Sequence, residues 1–388
     1  MKKTHLYEID FMRTYIMLGV LSVHTMTIFT NQMDDESITS LAMSAVHSSM
    51  HVTRLAFMFI TGLVLFITYY YREFHILSFW KKRLVLIAIP YLFWNVIYLL
   101  FRSSYSSELT GSFSSFMKEL GTSLMQGDEF YIYFVLISFQ FYLVFPFLLY
   151  GLRKFEKWHL QIFIGSVILQ LVLMTFYKFG IPHLNRTGWP YLFSHYGVFV
   201  LTYQCWFISG GMVACHYEKI CQFIERHSRA IIWTLLGSVA VMWAYYFYNR
   251  FVLLLTENKA QEPHQPLFLP YSLLVITVLF MLGRKWSHKR TEEKMHYFSS
   301  YIMLASHTSF GMFLVQPFPL FIIKQIVPFF DDVKWLYVIL LPASILFVYG
   351  SSMFLSYWLN KIPLISFVVG KKSKLQTRVK TVPVPGKL

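Results

Sequence analysis

The chain has 388 residues, 56% hydrophobic and 14% charged, with 34 Lys+Arg against 19 Asp+Glu and a net charge of +15. A soluble domain carries about 25% charged residues and breaks its apolar runs well short of the roughly 20 residues that cross a bilayer. Here such runs recur and mean hydropathy is +0.50, which excludes a soluble globular protein. The basic excess does not point to nucleic acid, because the cations cluster between apolar runs as in cytoplasmic loops, with membrane lipid as the surface they meet.

The expected class is all-α, a polytopic membrane protein of about ten transmembrane helices. Helix 1 is predicted from Ile9 to Phe29 and is followed by the acidic loop NQMDDESITS. Helix 2 covers Met50 to Tyr71, with the basic stretch REFHILSFWKKR beyond it, and helix 3 spans Leu84 to Phe101. A Ser-rich loop follows, with room for a short amphipathic helix over Phe113 to Leu124. Helices 4, 5 and 6 are placed at Phe130–Leu149, Leu160–Phe179 and Val198–Ala214, the last followed by HYEKICQFIERHSR. Helix 7 takes Ile231 to Asn249, and helix 8 takes Tyr271 to Gly283, extended backwards through LFLP. Helix 9 covers Tyr301 to Ile323 and contains Pro317 and Pro319, which predict a kink. Helix 10 runs from Leu336 to Leu359. Residues 1–360 thus form the transmembrane domain, and 361–388 a basic cytoplasmic tail read as disordered.

With the N-terminus inside, 24 of the 34 Lys+Arg fall in inner segments and eight in outer loops, among them Arg102, Lys178, Arg186 and Lys259. That bias predicts both termini in the cytoplasm. Cys205, Cys215 and Cys221 lie in or just past one predicted helix; two cysteines ten positions apart on a helix stand about 15 Å apart, too far for a disulfide. They read as small buried hydrophobes. No cleavable signal peptide is expected, since the first apolar run holds Arg13 and His24 and ends without a small-residue cleavage site.

Ionisable groups inside a membrane helix are costly and mark function. In helix 1, Arg13 and His24 are eleven positions apart, which is three turns plus about 20°, so they share one face roughly 16 Å apart along the axis. A fixed cation at one end of a face and a titratable base at the other suit a long ligand with an anionic head and a reactive tail. The alternative is that Arg13 snorkels to the interface and His24 bonds a neighbouring helix. Asp10 is spaced to orient Arg13. His47, His51 and Arg54 follow at spacings of four and three, again on one face. With Arg as third member and no carboxylate in register, a wet cationic cavity lining is expected and a metal site is not. Asp128 and Glu129 suit a helix start. Gln140, among Phe and Tyr, is expected to make an interhelical bond.

Arg13-x10-His24 in a helix opening IDFMR resembles the acyltransferase 3 family of membrane O-acyltransferases. Further similarity runs in order through HVTRLAFMFITGLVLF, KKRLVLIAIPYLFW, FVLISFQFYLVFPFLL, WFISGGMVA and SFGMFLVQPFPL, over about residues 6 to 360. Within the family, RLVLIAIPY and CQFIER are similar to a subgroup associated with poly-N-acetylglucosamine intercellular adhesion. The resemblance implies transfer of an acyl group, usually acetyl, from cytoplasmic acyl-CoA to a hydroxyl of an extracytoplasmic glycan or lipid-linked sugar. It makes His24 the catalytic base and Arg13 a contact of the acyl-CoA. The cluster Lys81, Lys82 and Arg83 reads either as further phosphate contacts or as an ordinary positive-inside loop, and His51, Arg54, Gln140 and Gln316, with Asp10, are expected to line or orient the cavity. The resemblance also implies a bacterial plasma membrane and glycan synthase or export machinery as partners. Two departures stand out. Many members carry two arginines three apart before helix 3, where Arg83 is followed by LVLIA, and a His before the helix 9 proline, where this chain has Gln316. A polysaccharide exporter without acyl-transfer chemistry and a non-catalytic assembly subunit are the competing readings, since a cavity with buried Arg and His serves transport as well.

Overall fold

The computed structural model of the protein describes residues 5–33, 37–106, 112–363 and 365–370. Among the described residues its regular structure is all helical, without a strand. The central element is α1 (Tyr7–Thr30), packed against α2 (Ile38–Met50), α3 (Thr53–Tyr69) and elements late in the chain, with α4 (Ile76–Ser103) next in order. After the amphipathic α5 (Phe113–Gln126) come α6 (Tyr133–Lys154), α7 (His159–Thr175) and the single turn α8 (Tyr191–Ser194). Next are α9 (Gln204–Cys215), α10 (Tyr217–Arg226), α11 (Ser228–Phe247) and a second single turn, α12 (Glu257–Ala260). The chain ends with α13 (Phe268–Lys289), α14 (His296–Val315), α15 (Pro317–Ile326) and α16 (Tyr337–Lys361).

Among the described residues, seven helical stretches are long and apolar enough to cross a membrane, and eight if the bent pair α14–α15 counts as one span. The two predicted spans outside this set are α1, which is long enough but polar, and α9, which is apolar but short. Each is packed inside the bundle: α1 against α2, α3, α13, α14 and α16, and α9 against α3 and α7. A helix that meets protein on every side tolerates Arg13, His24, Ser and Thr, and lowers its hydropathy accordingly. The apolar stretch of α9 is Val200–Cys215.

The close packing of α3 on α9 rests on glycine. A Cβ at Gly62 would stand 2.1 Å from the Phe207 carbonyl oxygen, and one at Gly210 2.2 Å from that of Phe59. Small residues let membrane helices approach to backbone contact, and rings fill the rest, with Phe141 stacked on Phe207 at 4.2 Å. The proline pair acts as expected: the helix bends by 62° between Val315 and Pro317, because Pro lacks the N–H that would continue the ladder. Helix 2 differs from its prediction. It begins at Ile38 and breaks at His51–Val52, so His47 belongs to α2, His51 caps it and Arg54 opens α3.

Past α16 the chain turns back. Ile365–Val369 forms a 3₁₀ turn packed on α4, α14 and α16, where Trp94 Nε1 donates to the Val368 carbonyl (2.8 Å). The first part of the stretch read as a disordered tail is therefore folded onto the bundle. The remainder, 371–388, lies outside the described residues. Cys205 and Cys221 are buried, Cys215 is partly so, and all three are free thiols.

Candidate functional site

α1 carries Arg13 and His24 into one cavity. This cavity, of about 330 Å³, is walled by α1, α3, α4, α6 and α14, and both side chains line it. At the end near the α1 N-terminus Arg13 is joined by Arg83 of α4, whose guanidinium lies over the Tyr142 ring at 5.9 Å. Arg83 Nε is buried without a hydrogen-bond partner. Among the described residues no carboxylate pairs with Arg13 or Arg83 within ion-pair distance. The walls between the two ends are largely apolar, with Met17, Val20, Ile60, Val64, Phe310 and Phe313. At the other end His24 stacks on Tyr131, with ring centroids 3.5 Å apart.

Other expected residues fall differently. The Asp10 carboxylate accepts from Ser306 Oγ (2.7 Å) and His5 Nε2 (2.5 Å), so it ties α1 to α14 and the N-terminal segment in place of gripping Arg13. Lys82 is exposed and does not line the cavity, whereas Arg83, one residue on, does. Helical phase separates the two: neighbours on a helix point about 100° apart. Gln140 bonds backbone across to the 196–203 segment (Nε2 to the Val198 carbonyl, 2.8 Å; Val200 N to Oε1, 3.0 Å), which braces that segment outside the cavity. Gln316 is fully buried at the α14–α15 bend with neither amide atom partnered, and it does not line the cavity. The bend turns it into the core.

His51 and Arg54 do line the cavity, with Tyr133. The same three residues also line a second chamber, of about 530 Å³, so they stand at the neck, the narrow boundary where the two cavities adjoin. This chamber lies at the far end of α1, where Thr27 contributes, and is covered by the 186–198 and 258–264 segments. His47 faces it, within hydrogen-bond distance of Gln261 Oε1 (2.5 Å) and the Val23 carbonyl (3.0 Å). The Arg54 guanidinium lies over Tyr133 at 6.0 Å, with Nη2 3.5 Å from His51 Nδ1.

Sequence reasoning missed His307, Ser306 and Tyr131. His307 lines the first cavity from α14, and the rule that singled out His24, an ionisable group within an apolar helix, applies to it equally. Tyr131 carried no signal, as one of 26 tyrosines. Glu129, flagged as a helix-start acid, is buried and paired with Arg102 Nη1 at 2.9 Å. Burial pushes its carboxyl up, against the lowering effect of that arginine.

The described residues form a helical bundle in which Arg13 and His24, with ten residues between them, line one cavity. Residues 6–361 match the family described as the acyltransferase domain, acyltransferase 3, and the chain belongs to it. Two curated proteins are similar along nearly the full length, both named probable poly-beta-1,6-N-acetyl-D-glucosamine export protein, from Staphylococcus epidermidis and from one strain of it. Each is 24% identical over 385 residues, covering 97% of this chain and 98% of the relative. No solved structure matches the chain.

Proposed function

We propose that this protein transfers an acyl group, acetyl in the first instance, from cytoplasmic acyl-CoA to a hydroxyl of an extracytoplasmic glycan or lipid-linked sugar. It does so in the plasma membrane of a bacterium, with about ten crossings and both termini inside. The observation that carries the reading is one cavity lined by Arg13 and Arg83 at one end and His24 at the other. Acyl-CoA is a long thin thioester with phosphates at its head. The two arginines, without an ion-paired carboxylate among the described residues, suit those phosphates, and the apolar walls suit the arm. The thioester carbon would then lie by His24. The His24 imidazole takes the proton of the attacking hydroxyl as the C–O bond forms. The C–S bond breaks, and the proton passes to the departing thiolate, leaving an ester and free CoA.

The test is mass spectrometry of surface glycans from a deletion strain complemented with wild type or His24→Ala. The expected result is an ester lost in the deletion and restored by wild type only, and identical ester profiles in all strains would sink the reading. An exporter is the second reading, favoured by the name of the relatives. It predicts polymer outside the cell that depends on the protein yet survives His24→Ala with no ester gained or lost.

A further inference from the structure

The second chamber has a feature that its own surroundings do not use. The segment 257–265 that covers it is tightly bonded. Glu257 accepts from Ser44 and from Gln261 Nε2 (2.8 Å), and Gln261 reaches His47. Glu262 accepts from Tyr196 and pairs with Lys259 (3.2 Å). Gln265 Nε2 lies within hydrogen-bond distance of the Lys259, Ala260 and Glu262 carbonyls, and its Oε1 accepts from Asn249 (2.9 Å). His264 is the exception. Its side chain lines the chamber, the residue is 3% exposed, and neither ring nitrogen has a hydrogen-bond partner.

A braced loop does not misplace one side chain by looseness, so an imidazole with both nitrogens unmet on a chamber wall points to a ligand that meets them. Burial pushes His264 down to about 3, so the ring is neutral, offering one N–H donor and one acceptor nitrogen. A sugar hydroxyl, itself donor and acceptor, answers both. Tyr196 and Tyr203 stand edge-on to the imidazole at 5.9 and 5.4 Å and hold its plane. At the neck, His51 Nε2 is likewise buried without a partner, so polar groups lead from the chamber wall towards the His24 cavity. Charge narrows the class. The Glu262 carboxylate is matched by Lys259, while Arg54 and Arg186 also face the chamber. An excess of positive charge disfavours an ammonium-bearing sugar.

We propose that the second chamber binds the acceptor, a neutral or anionic hydroxyl-rich sugar, with His264 as its recognition residue. Only the word acceptor rests on the acyl-transfer reading; sugar binding stands apart from it.

The test uses the full chain in lipid nanodiscs and saturation-transfer NMR with two probes, an N-acetylglucosamine tetrasaccharide and its fully de-N-acetylated form. Wild type is expected to bind the neutral probe at least tenfold more tightly than the amine form. His264→Ala should weaken binding of the neutral probe at least tenfold, and His264→Gln, which keeps a donor and an acceptor, should recover part of it. Thermal melts establish that each variant is folded. Unchanged binding in His264→Ala overturns the proposal, and so does a wild type that transfers acyl groups yet binds neither probe. His264-dependent binding in a protein that transfers no acyl group upholds the sugar site and removes the acyl-transfer reading instead.

Discussion

The His24 imidazole lies face to face with the Tyr131 ring, with centroids 3.5 Å apart and planes 22° from parallel. No protein hydrogen bond orients His24 among the described residues, so the stack sets the ring's plane and leaves its edge nitrogens to the cavity. General-base catalysis is worth about 10²–10⁴-fold, and His24→Ala should lose transfer by that order with the protein still folded. Tyr131→Phe keeps the stacked face and should stay within about threefold of wild type. Tyr131→Leu removes it and should lower kcat by about 10-fold or more, given the sensitivity of such reactions to small misplacements. Steady-state acetyl transfer in nanodiscs measures all three, and full activity in Tyr131→Leu would deny the ring a positioning role.

Arg13 and Arg83 should act on the donor. A charge-assisted hydrogen bond contributes about 1.5–3 kcal/mol, so Arg13→Ala and Arg83→Ala should each raise KM for acetyl-CoA by about tenfold or more. Lys82→Ala should leave it unchanged, since Lys82 is exposed and away from the cavity. Equal effects at 82 and 83 would mean that the loop's overall charge is what matters.

The C-terminal turn is part of the same wall. Val369 and Gly370 line the cavity, and Trp94 holds Val368 in place. Gly370 adopts a positive φ of 79° against the Phe310 ring, which glycine accepts at no steric cost. Truncation after Gly370 should preserve activity, while truncation after Lys361 should open the cavity and lower kcat/KM for the donor by about tenfold or more. Equal activity of the two truncations would count against the turn as a functional wall.

Gly62→Ala tests the α3–α9 contact. The added methyl would meet the Phe207 carbonyl oxygen at 2.1 Å, a backbone atom that cannot swing away. Overpacking of this kind costs about 1–3 kcal/mol, so a lower melting temperature in detergent is expected. Gly165→Ala is the control, because nothing lies within 4 Å of its Cβ position.

His5, ahead of α1, is raised from its ordinary value of 6.5, chiefly by its hydrogen bond to Asp10. A raised folded value means stability that is fully present below the unfolded pKa and lost as pH rises through the folded one. NMR titration of His5 should therefore show an upward shift that Asp10→Asn abolishes, and Asp10→Asn should cost stability at pH 6 more than at pH 8. A His5 titration indifferent to residue 10 would contradict the contact.

Much of this was legible along the chain. Apolar run length located the helices, the amphipathic one beginning at Phe113 included, and the prolines located the bend. Eleven-residue spacing put Arg13 and His24 on one face, since helical phase is a local property. Other features were hidden because they depend on what stands opposite. Run length alone could not separate α1 and α9, packed within protein, from helices that meet lipid. Spacing could not tell that His51 ends one helix and Arg54 begins the next, or that Lys82 faces away while Arg83 faces in. Gln316 drew attention by its place in a motif, yet the bend buries it in the core, while His307 on the same helix faces the cavity.

Sequence by itself determined a helical membrane protein with an arginine and a histidine aligned on its first helix, because run length, charge clustering and helical period are set by residues near one another in the chain. Tertiary structure alone decided that this face opens into a cavity, that Tyr131 stacks on His24, and that His264 lines a second chamber that shares His51, Arg54 and Tyr133 with the first. Those are contacts between segments up to hundreds of residues apart, fixed by how glycine-tight helices pack, and no local pattern encodes which distant side chain fills the space opposite.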